Sequence, residues 1–212
     1  MFFALVVFGF FTVVHAQQST PAVVLKINPL FIFGKHQLYA ELPVSQAGSV
    51  QLSVASFDGL AVSWNTYDNV FSEKKELSHW LFMPEYRQYL KGNAMQGAYL
   101  GLYGRTKLSY GKVDVDYVGP STERNYDHFR NVTELGGGFL IGKQWLAKSG
   151  MVYDMFIGSG RSYRWVHNNY EDGTITDAMY EQDVLGGRTK LDGWRYQLRV
   201  GFIIGLHLGE KK

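Results

Sequence analysis

The chain has 212 residues, a formal net charge of +2, no cysteine and an apolar content of 46%, with aromatic residues making up 16%. This length suits a single domain, and the nearly balanced charge gives no indication of nucleic-acid binding. The absence of cysteine excludes disulfides, thiolate metal sites and a cysteine nucleophile.

The N-terminus predicts export. Residues 2–14 form an apolar run, and Val14-His15-Ala16 resembles a small-residue cleavage site. The run is too short for a transmembrane helix. The segment before it lacks Lys and Arg, so a buried strand or helix start is the alternative. We predict a signal peptide at 1–16 and one domain at 17–212.

Eight extended segments follow, and most of them alternate apolar and polar residues with a period of two. They are residues 23–33, 37–45, 50–57, 79–90, 97–110, 132–145, 150–163 and 194–208. No later stretch reaches the roughly 18 apolar residues of a membrane-spanning helix. The pattern predicts an all-β protein.

Segment 194–208 shows the alternation most clearly. Its even positions are all bulky and apolar, from Trp194 through Leu198 to Leu208, whereas its odd positions include Arg195 and Arg199. Only an extended strand separates these two sets of side chains onto opposite faces. A tilted strand of this length can cross a bilayer. The segment therefore favours an eight-stranded antiparallel up-and-down transmembrane β-barrel.

The connections alternate in length, except that the first outer connection, residues 34–36, is also short. Residues 46–49, 91–96 and 146–149 form short turns, whereas residues 58–78, 111–131 and 164–193 form long polar stretches. The long stretches carry fourteen acids and eight bases, a net charge of −6. Outer-membrane barrels have short periplasmic turns and longer extracellular loops. We therefore expect three acidic loops outside the cell.

Alternation alone does not say which face points inward, because a soluble lipocalin-like barrel also alternates. Glycines on the polar face, such as Gly138 and Gly160, suit the narrow interior of a small barrel. Aromatic residues at the ends of the apolar face resemble interfacial girdles. The predicted girdle is Trp80, Tyr110, Trp145, Tyr163, Trp165 and Trp194.

The polar face mixes charges of both signs, which could pair inside a closed interior. Eight strands enclose only enough space for side chains, and buried charges must be paired. The predicted structural network is Lys26, Glu41, Glu85, Arg87, Arg105, Lys107, Glu134, Asp154, Arg195 and Arg199.

The central segments carry a family resemblance. Residues 79–90 (HWLFMPEYRQYL), followed by 97–103 (GAYLGLY), are similar to a pattern in small uncharacterised Bacteroidota outer-membrane proteins that share a domain of unknown function. Glycine-rich residues 135–145 and 151–160 and the opening Lys26-Ile27-Asn28-Pro29-Leu30 also match. The resemblance implies an outer-membrane β-barrel and no known activity. The ending Gly209-Glu210-Lys211-Lys212 departs from the terminal aromatic residue of better-known barrels, which leaves open how the barrel-assembly machinery recognises it.

Signals for chemistry are weak. The histidines His79, His128 and His167 and the serines Ser78, Ser109 and Ser162 could lie near the outer rim, but no spacing singles out a catalytic triad. Asp114-Val115-Asp116 and Glu171-Asp172-Gly173 lack the ligand series of a calcium loop, and the second favours a turn. We predict no catalytic residue, metal site or cofactor, and the sequence indicates no ligand-binding residues.

The sequence thus predicts a non-enzymatic integral outer-membrane protein with a structural or surface-contact role. Its expected partners are outer-membrane lipids and lipopolysaccharide, together with a surface partner that the sequence does not name. Three alternatives stay open: a narrow channel or transporter, a lipid-modifying enzyme, and a secreted lipocalin-like carrier.

Overall fold

The described part of the chain contains nine strands and one short helix. The computed structural model describes residues 22–29, 36–65, 70–91, 94–118, 123–185 and 191–209. The elements are β1 (Val23–Ile27), β2 (His36–Pro43), β3 (Gly48–Asn65), β4 (Val70–Tyr89), β5 (Gly97–Val118), β6 (Glu123–Asn125), β7 (His128–Leu146), β8 (Met151–Tyr170), α1 (Asp177–Asp183) and β9 (Gly193–Leu208). The predicted signal peptide, residues 1–16, lies outside the described residues.

Eight of the strands form one antiparallel sheet that closes into a ring. Each strand pairs with the next along the chain, and β1 pairs with β9 through Val23 opposite Leu208. The short strand β6 adds to the far end of β5. The predicted all-β fold with eight antiparallel strands is therefore confirmed. No helix in the described part of the chain is long and apolar enough to cross a bilayer.

Five strands extend beyond the predicted segments, so the expected long loops at 58–78 and 111–131 were wrong, whereas β8 ends at Tyr170 and β9 begins only at Gly193. Residues 58–65 and 70–78 continue the β3–β4 hairpin up to the pair Asn65 and Phe71. Residues 111–118 and 128–131 likewise extend β5 and β7, and residues 164–170 extend β8. In the other direction, β1 ends at Ile27, and the predicted continuation from residue 30 to 33 lies outside the described residues.

A change in the phase of alternation explains why the β5 extension was missed. In the first part of β5 the apolar side chains face outward, with Leu102 65% and Leu108 47% exposed. Beyond Gly111, the apolar Val113 and Val115 are buried, and the intervening Asp114 lies on the outer face. The apolar residues lie on the outer face before Gly111 and on the inner face after it, so neither face is apolar along the whole strand.

Glycines allow the backbones of β7 and β8 to approach closely. Gly138 lies opposite Gly160, and a Cβ atom at Gly138 would overlap the carbonyl oxygen of Ser159. Gly136 meets the same limit against the carbonyl oxygen of Arg161. The positions therefore require residues without a side chain, as expected where backbones approach closely.

Helix α1 packs on the inner face of the sheet at the end opposite the short turns. Thr176 caps its N-terminus by accepting a hydrogen bond from the Met179 amide. Its fully buried Tyr180 contacts the rings of Tyr126, His128 and Tyr170. We call this end of the ring the α1 end and the other the short-turn end.

Candidate functional site

The interior near the short-turn end holds a buried ionic network. Lys26 of β1 lies 2.5 Å from Glu41 of β2 and 3.0 Å from Asp154 of β8. Its ammonium group also donates to the side-chain oxygens of Gln51 and Gln144, at 2.9 and 2.6 Å. The side chains of these three ionic groups are fully buried, and every contact is a charge-assisted hydrogen bond or ion pair.

Arg87 of β4 forms the second centre of the network. Its Nε donates to Glu85 at 2.7 Å, and one terminal nitrogen donates to Asp154 at 2.7 Å and to Gln144 at 3.1 Å. The guanidinium also stacks on the ring of Tyr99, 4.3 Å from its centroid. Arg87 thereby links β4 to β8 across the interior.

Hydroxyl groups satisfy the remaining carboxylate oxygens. Ser49 and Tyr89 donate to Glu41 at 2.5 and 2.7 Å, and Tyr99 donates to Asp154 at 2.7 Å. With Arg199 of β9 donating to Glu85 at 3.2 Å, each of the eight ring strands supplies at least one member. A buried ionic group is tolerated only when it is paired and hydrogen-bonded in this way.

The other predicted network residues lie nearer the α1 end. Arg105 and Arg164 both donate to Glu134, at 2.9 and 3.2 Å. Lys107 is the cross-strand neighbour of Glu134 and lies 5.7 Å from the centroid of the Phe57 ring.

Arg195, in contrast, donates to the carbonyl oxygen of Trp194 at 3.3 Å. The structure thus divides the ten predicted residues. Six form the network near the short-turn end, and three, Glu134 with Arg105 and Lys107, lie together nearer the α1 end. The tenth residue, Arg195, lies on β9 next to Trp194.

Several interior residues were not predicted from the sequence. Gln51 and Gln144 were missed because the predicted network contained only charged residues and their amides are neutral, although both lie on the polar face of their strands. Tyr39, Tyr99 and Tyr103 form an aromatic core with neighbouring apolar side chains. Their position in the alternation places them inward, but their bulk and hydrophobicity suit either face.

The predicted aromatic residues all lie on the outer face or its edge. Trp80, Tyr110, Trp145, Trp165 and Trp194 are between 39% and 64% exposed, and Tyr163 is half-buried. Trp80 and Trp165 lie in the same cross-strand row, because both align with Leu108 and Thr133. The ring of Tyr163 contacts those of Trp165 and Trp194, with centroids 4.7 and 5.5 Å apart.

Two of the candidate catalytic groups lie in contact. His79 and Ser109 share a hydrogen bond of 2.7 Å inside the ring, where Ser109 is 4% exposed. His128 donates from Nδ1 to the Tyr126 carbonyl, and His167 is exposed on the outer face. A lipid ester on the outer surface would not reach the buried Ser109 hydroxyl.

The candidate calcium residues lie at the α1 end. Asp114 pairs with Lys112 at 3.2 Å, and Asp172 accepts two hydrogen bonds from Thr174 in a turn after β8. These bonds hold the pKa of Asp172 below its ordinary value. Within the described ranges, no group of three or more histidine or acidic side chains is placed to hold a metal ion.

These features define a class: small all-β proteins whose closed eight-stranded sheet has an apolar outer face and an ionic interior. Residues 2–190 match the family described as "Protein of unknown function (DUF3575)", and the chain belongs to that family. No curated protein and no solved structure matches the chain.

Proposed function

We propose that this protein is an integral outer-membrane β-barrel that stabilises the envelope and has no enzymatic activity. Residues 1–16 direct its export and are then cleaved. Its partners are membrane lipids and lipopolysaccharide. The resemblance to Bacteroidota outer-membrane proteins is consistent with this location.

The observation that carries the proposal is the inverted distribution of polarity. On β9 the outward side chains of Leu198 and Val200 are 77% and 69% exposed, whereas Glu41 and Arg87 are fully buried. A water-soluble barrel places its charges outside and its apolar side chains inside. A contiguous apolar surface of this extent is a site for contact with lipid or protein.

The height of the apolar surface suits a bilayer. On β5 the exposed apolar side chains begin at Leu100 and end at Tyr110, ten residues along the strand. At about 3.4 Å per residue and a tilt of about 40°, this distance corresponds to roughly 26 Å along the axis, close to the height of roughly 25 Å typical of such bands. Beyond Tyr110, the outward residues are Lys112 and Asp114, which suit water.

The interior supports a structural role over a channel. The ion pairs of Lys26 and Arg87 reach from one side of the ring to the other, so they occupy the space that an aqueous pore needs. Their full burial indicates that water does not separate these groups. A steady ionic current through this layer would require these contacts to break.

The α1 end is the proposed surface-contact region. Its acidic side chains include Asp114 on β5, Asp127 just before β7 and Glu171 just after β8. Anionic groups at this height suit contact with lipopolysaccharide through divalent cations. Charge-neutral variants of the three residues should reduce cation-dependent binding of lipopolysaccharide vesicles and leave membrane residence unchanged.

Membrane fractionation combined with heat-dependent gel mobility tests the location. The mature protein should remain with the outer membrane after salt and carbonate washes, and it should migrate faster before boiling than after it. A protein that is monodisperse in buffer without detergent would refute the proposal. Single-channel recordings of refolded protein separate the structural role from the channel, because steady conductance contradicts the former.

A further inference from the structure

A cavity lies inside the ring between the ionic network and the α1 end. Its volume is about 320 Å³, and its lining includes Arg105, Arg199, Gln197, Leu81, Met83 and Ile203. This volume is at the low end of the roughly 300–1,000 Å³ that small-molecule sites occupy. The cavity combines polar and apolar walls, which is a common feature of such sites.

The charged side chains of the cavity lining are both guanidinium groups held in place by other contacts. Arg199 donates one N–H to Glu85 and lies over the rings of Tyr103 and Phe156, 4.3 and 5.0 Å from their centroids. Arg105 donates to Glu134 at 2.9 Å. A guanidinium carries five N–H donors, so each retains donors for a further acceptor.

Gln197 provides the second indication of a ligand. Both polar atoms of its side-chain amide are buried, and neither has a hydrogen-bond partner among the residues that the structure describes. Buried polar side-chain atoms are hydrogen-bonded in the large majority of cases. An amide that lines a cavity with a free donor and a free acceptor is therefore suited to bind a polar group there.

The apolar lining residues indicate that the ligand also has an apolar part. Leu81, Met83 and Ile203 are 6%, 5% and 1% exposed, and they line the cavity together with the arginines. The charge of the lining favours an anion over a cation, because both charged side chains there, Arg105 and Arg199, are cationic. No acidic residue lines the described part of the cavity.

We propose that this cavity binds a small organic anion, a carboxylate or phosphate monoester that carries a short apolar group. Arg105 and Arg199 bind the anionic head, and the Gln197 amide supplies a further donor. Leu81, Met83 and Ile203 contact the apolar part. This inference goes beyond the structural role and does not depend on membrane residence.

Titration calorimetry on the refolded full chain in non-ionic detergent tests the site. The probes are hexanoate and hexyl phosphate, and the controls are hexan-1-ol, which lacks the charge, and acetate, which lacks the tail. At least one of the two anions should bind saturably with one site per chain. Both controls should bind at least tenfold more weakly, a difference of about 1.4 kcal/mol.

Variants assign the binding to this cavity. Arg105→Gln and Gln197→Leu should each weaken binding of the anion at least tenfold. Arg164→Gln is the matched control, because Arg164 pairs with the same Glu134 carboxylate but does not line the cavity. Its affinity should stay within twofold of the unmodified protein.

Three outcomes overturn the inference: no saturable binding of either anion, equal binding of hexan-1-ol, or full affinity in both cavity variants. Heat-dependent mobility verifies that each variant is folded, and Gln197→Leu carries the test if Arg105→Gln does not fold. If the chain is soluble without detergent, the same titration in buffer still tests the cavity while the membrane proposal fails.

Discussion

Replacing Lys26 by methionine tests whether the ionic network stabilises the ring. The substitution keeps an unbranched side chain of similar length and removes the ammonium group, which contacts Glu41, Asp154 and two glutamines within 3.0 Å. With Arg87 and Arg199, Lys26 balances three carboxylates, so the variant leaves one buried negative charge in excess. We expect Lys26→Met to lower the free energy of unfolding by about 3–5 kcal/mol, as for other broken buried pairs.

The measurement is the midpoint of thermal unfolding, which is monitored by the different gel mobilities of the folded and unfolded protein. For a domain of this size, 1 kcal/mol corresponds to roughly 2–4 °C, so the midpoint should fall by roughly 6–20 °C. Lys112→Met is the matched control. Its ammonium pairs with Asp114 at 3.2 Å, but both side chains are about 40% exposed, so its midpoint should barely change.

A double variant separates charge balance from packing. Asp154→Leu in the Lys26→Met background removes the excess negative charge, and the two effects should be less than additive by about 0.5–3 kcal/mol. The reasoning is refuted if Lys26→Met lowers the midpoint no more than Lys112→Met does. It is also refuted if the double variant shows strictly additive effects.

Three further substitutions probe the outer face, the close approach of β7 and β8, and the α1 end. Leu198→Arg should destabilise the protein in lipid vesicles by about 2–4 kcal/mol, and Leu198→Ala by much less, when unfolding in urea is compared. Gly138→Ala should cost about 1–3 kcal/mol through overlap with a neighbouring carbonyl, whereas Gly173→Ala, which has open space around it, should leave the unfolding midpoint unchanged. Burial and then the nearby Asp114 raise the pKa of Asp127, so its ionised form is disfavoured in the folded state. Stability relative to Asp127→Asn should therefore fall as pH rises through the acid range above the ordinary aspartate pKa, and an equal pH profile for both proteins would contradict this.

The sequence predicted the strands well where one face is uniformly apolar. In β9 the alternation from Trp194 to Leu208 gave the strand almost to the residue, because period-two patterning reports two different surroundings directly. It failed in the second half of β5, where Val113 and Val115 face inward although Leu102 and Leu108 face outward. The strand is continuous, but its apolar side chains move from the outer face to the inner face along its length.

The interior was predictable in composition but not in connectivity. The alternation places Lys26 and Asp154 on the polar face, yet only the order and register of the strands bring them within 3.0 Å. The glutamines that bridge them are neutral, and nothing in their local sequence distinguishes them from surface residues. Helix α1 was missed because seven residues give too short a periodic pattern.

The pairing of β1 with β9 determines when the molecule can finish folding. Leu25 of the first strand meets Leu206 of the last, so the ring cannot close until nearly the whole chain is present. Before that moment both terminal strands have free edges, and Lys26 lacks its β8 partner. Contacts between such distant residues form slowly because the intervening chain must first be ordered. A truncated chain therefore keeps unpaired strand edges, whose free N–H and C=O groups can pair with another chain. Cellular proteases and chaperones can recognise such edges.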